Sequence, residues 1–387
     1  MSTVMQGFPA NTKDQVTLAN WRSTPYSQWA FHHVQEIVPS AEIPNDSKNI
    51  WPLELEPNSL SSVDLETAMD AASADAVVVL QSNKIVKEVY RNGMTPSSKH
   101  ILFSVSKSIL GLVAGALNET GKIKEGDQVT SYIPELAGTA YSGATIRDLL
   151  DMRTGVLFDE DYLKTDGPII DYRYAGNWNP VPAGVEGGDL RSFMMKLTES
   201  FQEHGANFQY ASPNTDLLAW IFERATGSRY ADLVSNLLWQ PLGAEQASYM
   251  TVDRIGGSRA AGGKCFTARD LARVGMLIAN DGKRGENQII SKNWIDDIEN
   301  NGDMNAWKNG NFCAQFRTPN MHYRSKWYIE RGENPLIYAW GIHGQFLFID
   351  RTRKISVAWF SSQSMPTDME ASKIIFSTVD KIRSTLG

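Results

Sequence analysis

Ser104 and Lys107 stand three residues apart at the mouth of an apolar run, 106–118, rich in Ile, Leu, Val and Ala at helical spacing. Residues i and i+3 share one face of a helix, so the amine is placed to take the proton of the serine hydroxyl. The first N–H groups of a helix lack intrahelical acceptors and carry partial positive charge, which suits a developing oxyanion. Together these imply attack by Ser104 on a carbonyl, with Lys107 as base. A serine-x-x-lysine spacing also arises by chance, where the serine only caps a solvated first turn. What else the chain carries decides between the two readings.

Tyr210-Ala211-Ser212-Pro213-Asn214 precedes a helical pattern that opens at 214 or 215. A tyrosine on such a loop can aim its hydroxyl into a cleft, and a cation such as Lys107 nearby lowers its pKa toward a range useful for proton relay. The competing reading makes Tyr210 a half-buried aromatic and gives the helix cap to Ser212 or Asn214. Further on, Trp340-Gly341-Ile342-His343-Gly344-Gln345 leads into an apolar strand pattern at 346–349. A glycine-bounded edge strand lets a substrate lie along the backbone, with the N–H of Ile342 donating beside that of Ser104. Its alternative is a glycine-marked bulge, with His343 structural.

These groups need a framework to bring them together. At 387 residues the chain exceeds one simple core and reads as two or three units, one inserted in another. Residues 1–60 are rich in Pro, Asn, Ser and Trp without periodicity, an irregular wrap with Trp21, Trp29, Phe31 and Trp51 as anchors. A short helix is expected over 62–72. The β-rich runs 76–80 and 85–90 flank a polar turn and form a hairpin, as do 346–349 and 355–360. A closing helix follows from about 369 to 386. Apolar residues at i, i+3 and i+4 predict helices over 145–153, 190–203, 214–226, 230–237 and 267–280. The expected fold is α+β: an antiparallel sheet flanked by helices and built from both chain ends (61–140 with 245–387), around an inserted, mostly helical domain (141–244).

Composition removes other functions. Lysine and arginine number 37 against 44 acids, a net charge of −7 with no basic stretch, which argues against nucleic acid as a partner. The longest apolar runs, 76–80 and 109–117, fall far short of the roughly 20 residues of a membrane span. Residues 1–15 lack a basic region followed by an apolar one, so a cytoplasmic location is expected. Two cysteines and six scattered histidines supply neither a disulfide framework nor a zinc cluster, and the chemistry requires no metal or cofactor. No Gly-x-Ser-x-Gly elbow is present. The stretch 258–265 lacks the leading glycine of a phosphate loop and has Cys265 where Ser or Thr would bind magnesium. The expected partner is a small-molecule ester or amide, with a homodimer left open.

Serine-x-x-lysine after a hairpin, tyrosine-x-serine-x-asparagine about a hundred residues later, and a glycine-rich strand near the C-terminus form one order. In it, and in the stretches 145–155 and 262–273, the chain resembles the penicillin-recognising serine hydrolases: class C β-lactamases, DD-peptidases and the esterases of that fold. The likeness spans residues from about 60 to 387. Within that superfamily, Trp29-Ala30-Phe31, Ser104-Val105-Ser106-Lys107-Ser108, Glu160-Asp161-Tyr162, Ala175-Gly176-Asn177-Trp178 and Gly341-Ile342-His343-Gly344-Gln345 are similar to segments of the hydrolases that cleave 6-aminohexanoate (nylon) oligomers.

The resemblance implies Ser104 as nucleophile, Lys107 as base, Tyr210 as proton relay and the Ile342 N–H in the oxyanion hole. It also implies that Tyr162 assists amide cleavage from the substrate side. Trp178 and Trp327 are then aromatics beside the pocket, and Ser212, Asn214, Gly341 and His343 contribute to substrate binding. Where the β-lactamases and DD-peptidases carry lysine-threonine-glycine, this chain reads Ala339-Trp340-Gly341. It lacks the cation that would hold a β-lactam carboxylate, which argues against strong β-lactamase activity. Two alternatives compete with an amide and ester hydrolase: a carboxylesterase without amidase activity, and a catalytically silent acyl-binding protein on the same fold.

Overall fold

Strands from the two ends of the chain pair with one another in the computed structural model, which describes residues 3–56 and 60–387. In chain order the strands are β1 (Ser40–Ile43), β2 (Glu54–Leu55), β3 (Ala74–Gln81), β4 (Lys84–Tyr90), β5 (Lys99–Ile101), β6 (Ser248–Thr251), β7 (Lys264–Thr267), β8 (Lys283–Arg284), β9 (Asn287–Gln288), β10 (Met321–Arg324), β11 (Trp327–Glu330), β12 (Leu336–Gly341), β13 (Gln345–Asp350) and β14 (Ile355–Ser361). Eight of them form one sheet in the order β10-β11-β12-β13-β14-β3-β4-β2. It is antiparallel except where β2 runs parallel to β4. Both expected hairpins are present, joined by β14 against β3 with Val357 opposite Val79.

The continuous apolar runs in these strands follow from burial on both faces. Val78, Leu80, Leu347 and Ala358 point toward the helix Ala268–Ala279, while Val77, Val79, Phe348, Val357 and Trp359 pack with the closing helix Met369–Thr385. This is the period of two imposed by the pleat. A second, four-stranded sheet, β1-β6-β7-β5, was not expected. Its strands are three or four residues long, too short for an alternation to stand out from the flanking loops. β5 ends at Ile101, so this sheet fixes the approach to Ser104.

The helix Val105–Glu119 is buried on nearly every side, packed against β12, β11 and the helix Pro213–Thr226. Other helices are shorter than their patterns suggested. The expected 145–153 is a helix only over Ile146–Leu150, with a Thr145/Asp148 capping box. The expected 190–203 is one only over Leu190–Met194, after which the chain turns and Ser200 bridges to Val156. The helix Tyr230–Val234 continues as a wider π turn to Trp239. In the N-terminal wrap Trp21, Phe31 and Trp51 are buried anchors, whereas Trp29 is half-buried and stacks on His33. Residues 57–59 of that segment lie outside the described residues. Among the described residues no helix is long and apolar enough to cross a membrane.

β12 is not an edge strand, because β11 flanks it on one side and β13 on the other. Pairing with β11 covers only Leu336–Tyr338, however, while pairing with β13 continues to Gly341. The stretch 339–341 is therefore a local free edge inside the sheet.

Candidate active site

The helix begins at Val105, so Ser104 occupies the N-cap position, yet its side chain caps nothing. Instead its Oγ accepts a hydrogen bond of 2.8 Å from Lys107 Nζ. Phe103, just before, is held at φ +43°, a region costly for a bulky residue and common where a nucleophile is presented on a tight turn. Lys107 is only 2% exposed. Its other donor contact is the Ala261 carbonyl at 2.9 Å, and Nζ lies 4.9 Å from the centre of the Tyr210 ring.

Burial pushes the Lys107 ammonium down to about 8, with Glu160 and Asp216 opposing the shift and Arg259 adding to it. Desolvation outweighs the two carboxylates. A group with that pKa is neutral in roughly one molecule in ten at pH 7, which leaves it competent as a base. For a neutral ester, kcat/KM is expected to rise about tenfold per pH unit below about 8 and to level off above. A rate profile that is flat from pH 6 to 9 would contradict this role.

Tyr210 is held by the segment leading into the helix Pro213–Thr226 and lines the same cavity as Ser104 and Tyr162. The expectation that Lys107 would lower its pKa is not met. Burial, with the neighbouring Tyr328 and Glu160, holds the phenol well above 10, outweighing the opposite influence of Ser104 and Tyr162. Tyr210 therefore stays protonated and can act only as a neutral relay, taking one proton as it passes on another.

Glu160, which has no role in the sequence reading, is buried at the centre of this cluster. It accepts from the Tyr162 hydroxyl at 2.7 Å, from the Ser212 N–H at 2.5 Å and from the Ser212 hydroxyl. Ser212 is thus no cap; it ties the tyrosine loop to Glu160 and lines the smaller chamber behind Ser104. A second buried anion, Asp216, accepts from Tyr172 Oη and Arg259 at 2.5 Å each and from the Ala261 N–H at 2.7 Å. Because the Ala261 carbonyl takes Lys107 Nζ, Asp216 positions the acceptor that positions the base.

Gly341 brings the strand end against the serine turn. A Cβ there would lie 2.5 Å from the Leu102 carbonyl oxygen and 3.0 Å from the Ser104 nitrogen, so only glycine allows the approach. Neither the Ser104 nor the Ile342 N–H has a backbone acceptor among the described residues. Two free donors at one nucleophile are what an oxyanion needs.

Ser104, Tyr210, Gly341 and Ile342 open onto a cavity of about 450 Å³. Its other walls are largely aromatic, Phe312, Phe316, Tyr328 and Trp340 among them, with Asp159 and Asp161 at the Tyr162 side. No lysine or arginine lines it. At the position of the missing lysine-threonine-glycine motif the wall is Trp340 and Gly341.

Three expected binding residues lie elsewhere. Trp327 is fully buried in the core, because adjacent residues of β11 face opposite sides of the sheet, and its neighbour Tyr328 faces the cavity instead. Asn214, one residue inside the helix, is fully buried and bonds Thr154 and Tyr141. His343 is buried between Phe31 and Phe103 with Nδ1 2.7 Å from the Gln363 carbonyl, and burial lowers its pKa to about 4. Trp178 does not reach the large cavity. It lines a smaller chamber behind Ser104, its Nε1 donating to Thr251 Oγ1 at 3.1 Å.

Residues 64–377 match the model of the Beta-lactamase family. The chain belongs to that family. It is 34% identical over 355 residues to the 6-aminohexanoate-dimer hydrolase of Paenarthrobacter ureafaciens, covering 90% of this chain and 89% of that one. Among solved structures, a Bacillus anthracis protein provisionally named 6-aminohexanoate-dimer hydrolase superposes with a TM-score of 0.84 at 26% identity, over 96% of this chain and 97% of the other. A family VIII carboxylesterase shares the fold, with a TM-score of 0.58 at 15% identity over 82% of this chain and 96% of its own. The chain is a serine hydrolase of the beta-lactamase family.

Proposed function

We propose that this protein hydrolyses carboxylic esters and linear amides, the latter of the general type for which the Paenarthrobacter relative is named, through an acyl-enzyme on Ser104. The observation that carries the reading is the 2.8 Å contact between Lys107 Nζ and Ser104 Oγ, made by a lysine whose pKa burial has brought near neutrality. Lys107 takes the hydroxyl proton as Oγ bonds to the substrate carbonyl carbon, and the Ser104 and Ile342 N–H groups hold the resulting oxyanion. Tyr210, which lines the cavity with Ser104, passes a proton to the departing alkoxide or amine. Water then enters, gives its proton back along the same groups and releases the acid.

Tyr162 distinguishes amide from ester cleavage. An amide nitrogen must be protonated before it can leave, whereas a phenoxide leaves with little help. Burial and Glu160 hold the Tyr162 hydroxyl well above 10, so it keeps its proton, donated to Glu160 at rest and passed to a leaving nitrogen when the hydroxyl turns toward it. Tyr162→Phe is expected to slow a linear alkyl amide at least about tenfold, roughly 1.4 kcal/mol of transition-state stabilisation. A p-nitrophenyl ester of the same acid should change less than about threefold, with amine and nitrophenol release measured in parallel. Equal losses on both substrates, or a wild type that turns over esters alone, would make the protein a carboxylesterase. Single acylation without turnover on either would make it an acyl-binding protein.

A further inference from the structure

The small chamber behind Ser104 has a charge balance unlike that of the large cavity. It measures about 30 Å³, room for one or two waters or a single carboxylate. Arg22, Arg173 and Arg259 all line it, beside Trp178, with Lys107 and one carboxylate, Glu160, also on its wall. Arg259 is paired, donating to Asp216. The other two form no ion pair among the described residues. Arg22 donates to the side-chain oxygen of Asn179, while its Nε is buried with no acceptor. Arg173 donates to the Tyr162 carbonyl oxygen at 2.9 Å. Arg22 lies over the Trp21 and Trp178 rings, and burial, with the repulsion of Arg173 and Arg259, brings it down to about 9. Arg173 is lowered mainly by burial, with Glu160 and Asp161 among the charges that offset this. Glu160 is bonded by Tyr162 and Ser212 and pairs with neither Arg22 nor Arg173, so the chamber keeps an excess of positive charge that is costly to desolvate, and a carboxylate with its two oxygens is the partner the forked guanidinium geometry fits.

The chamber also has a defined place relative to the reacting bond. Ser104, Tyr162 and Ile342 line both it and the large cavity, so the two meet at the nucleophile. Tyr210, the relay to the leaving group, faces the large cavity and not the chamber. The leaving group therefore occupies the aromatic cavity, and the acyl half points to the arginines. Resting on the hydrolase reading above, we infer that Arg22 and Arg173 form a carboxylate subsite, and that the preferred substrates are half-esters or half-amides of short dicarboxylic acids.

The test compares two p-nitrophenyl esters of equal acyl length, the hemiglutarate and the valerate, with glutarate as an added inhibitor. Turnover of the valerate ester tests the hydrolase reading by itself. For the subsite, kcat/KM for the hemiglutarate is expected to exceed that for the valerate by at least about tenfold in the wild type, and 0.5 M NaCl should narrow the gap. Glutarate should inhibit competitively. In Arg22→Gln and Arg173→Gln the ratio of the two kcat/KM values should fall at least about tenfold. A wild type that turns over the valerate ester as fast as the hemiglutarate, or either arginine variant retaining the wild-type ratio, would overturn the subsite. The wild-type comparison decides the matter even where a variant does not fold.

Discussion

Ser104→Ala protein is expected to lose at least about 10⁴-fold in kcat on a p-nitrophenyl ester while keeping the wild-type far-UV spectrum and melting temperature within a few degrees. The chemical loss follows from deleting the only atom that bonds to the substrate. The structural loss is small because the hydroxyl caps no helix, and Lys107 keeps its bond to the Ala261 carbonyl. One net hydrogen bond is worth about 1 kcal/mol, against a stability on the order of 5–15 kcal/mol for a folded domain. Turnover within tenfold of wild type would remove Ser104 from the mechanism.

Lys107→Met is expected to match that loss within about tenfold, since members of one catalytic unit are not additive. Methionine fills most of the buried volume of the lysine stem, so the variant tests the amine and not the packing. It removes the group whose lowered pKa sets the rise of rate with pH. Whatever activity remains should therefore show no inflection near 8 between pH 6 and 10. A variant with near-normal kcat and an unchanged pH profile would make the serine-lysine contact incidental.

Much of this arrangement could be read from the chain, for identifiable reasons. The runs at 76–80 and 355–360 stand out because strands buried on both faces are nearly continuously apolar, with Ser356 the one polar residue between them. Ser104, Lys107 and Tyr210 were legible because their spacing is tied to helix starts, where backbone geometry leaves few alternatives. The cavity walls were not. Phe312, Phe316 and Tyr328 come from a loop and a short strand whose sequence has no periodicity linking it to the serine. Glu160 and Asp216 look like ordinary acids until folding removes their water and sets them against Lys107 and Arg259. Asn214 and His343 show the opposite error. Both lie within two residues of positions that line the cavity or the chamber, and a helix start or tight turn rotates each into the core. The relay tyrosine's pKa was misjudged because burial, invisible in sequence, outweighs a nearby cation.

The claim on which the rest depends is that Ser104 is an activated nucleophile. Incubating the wild type with an alkyl fluorophosphonate and weighing the intact protein tests it most directly. One adduct per chain is predicted, mapped by peptide mass spectrometry to Ser104, absent from Ser104→Ala and formed at least about 10²-fold more slowly by Lys107→Met. An adduct on another serine, or equal labelling of the Ser104→Ala protein, would contradict the account.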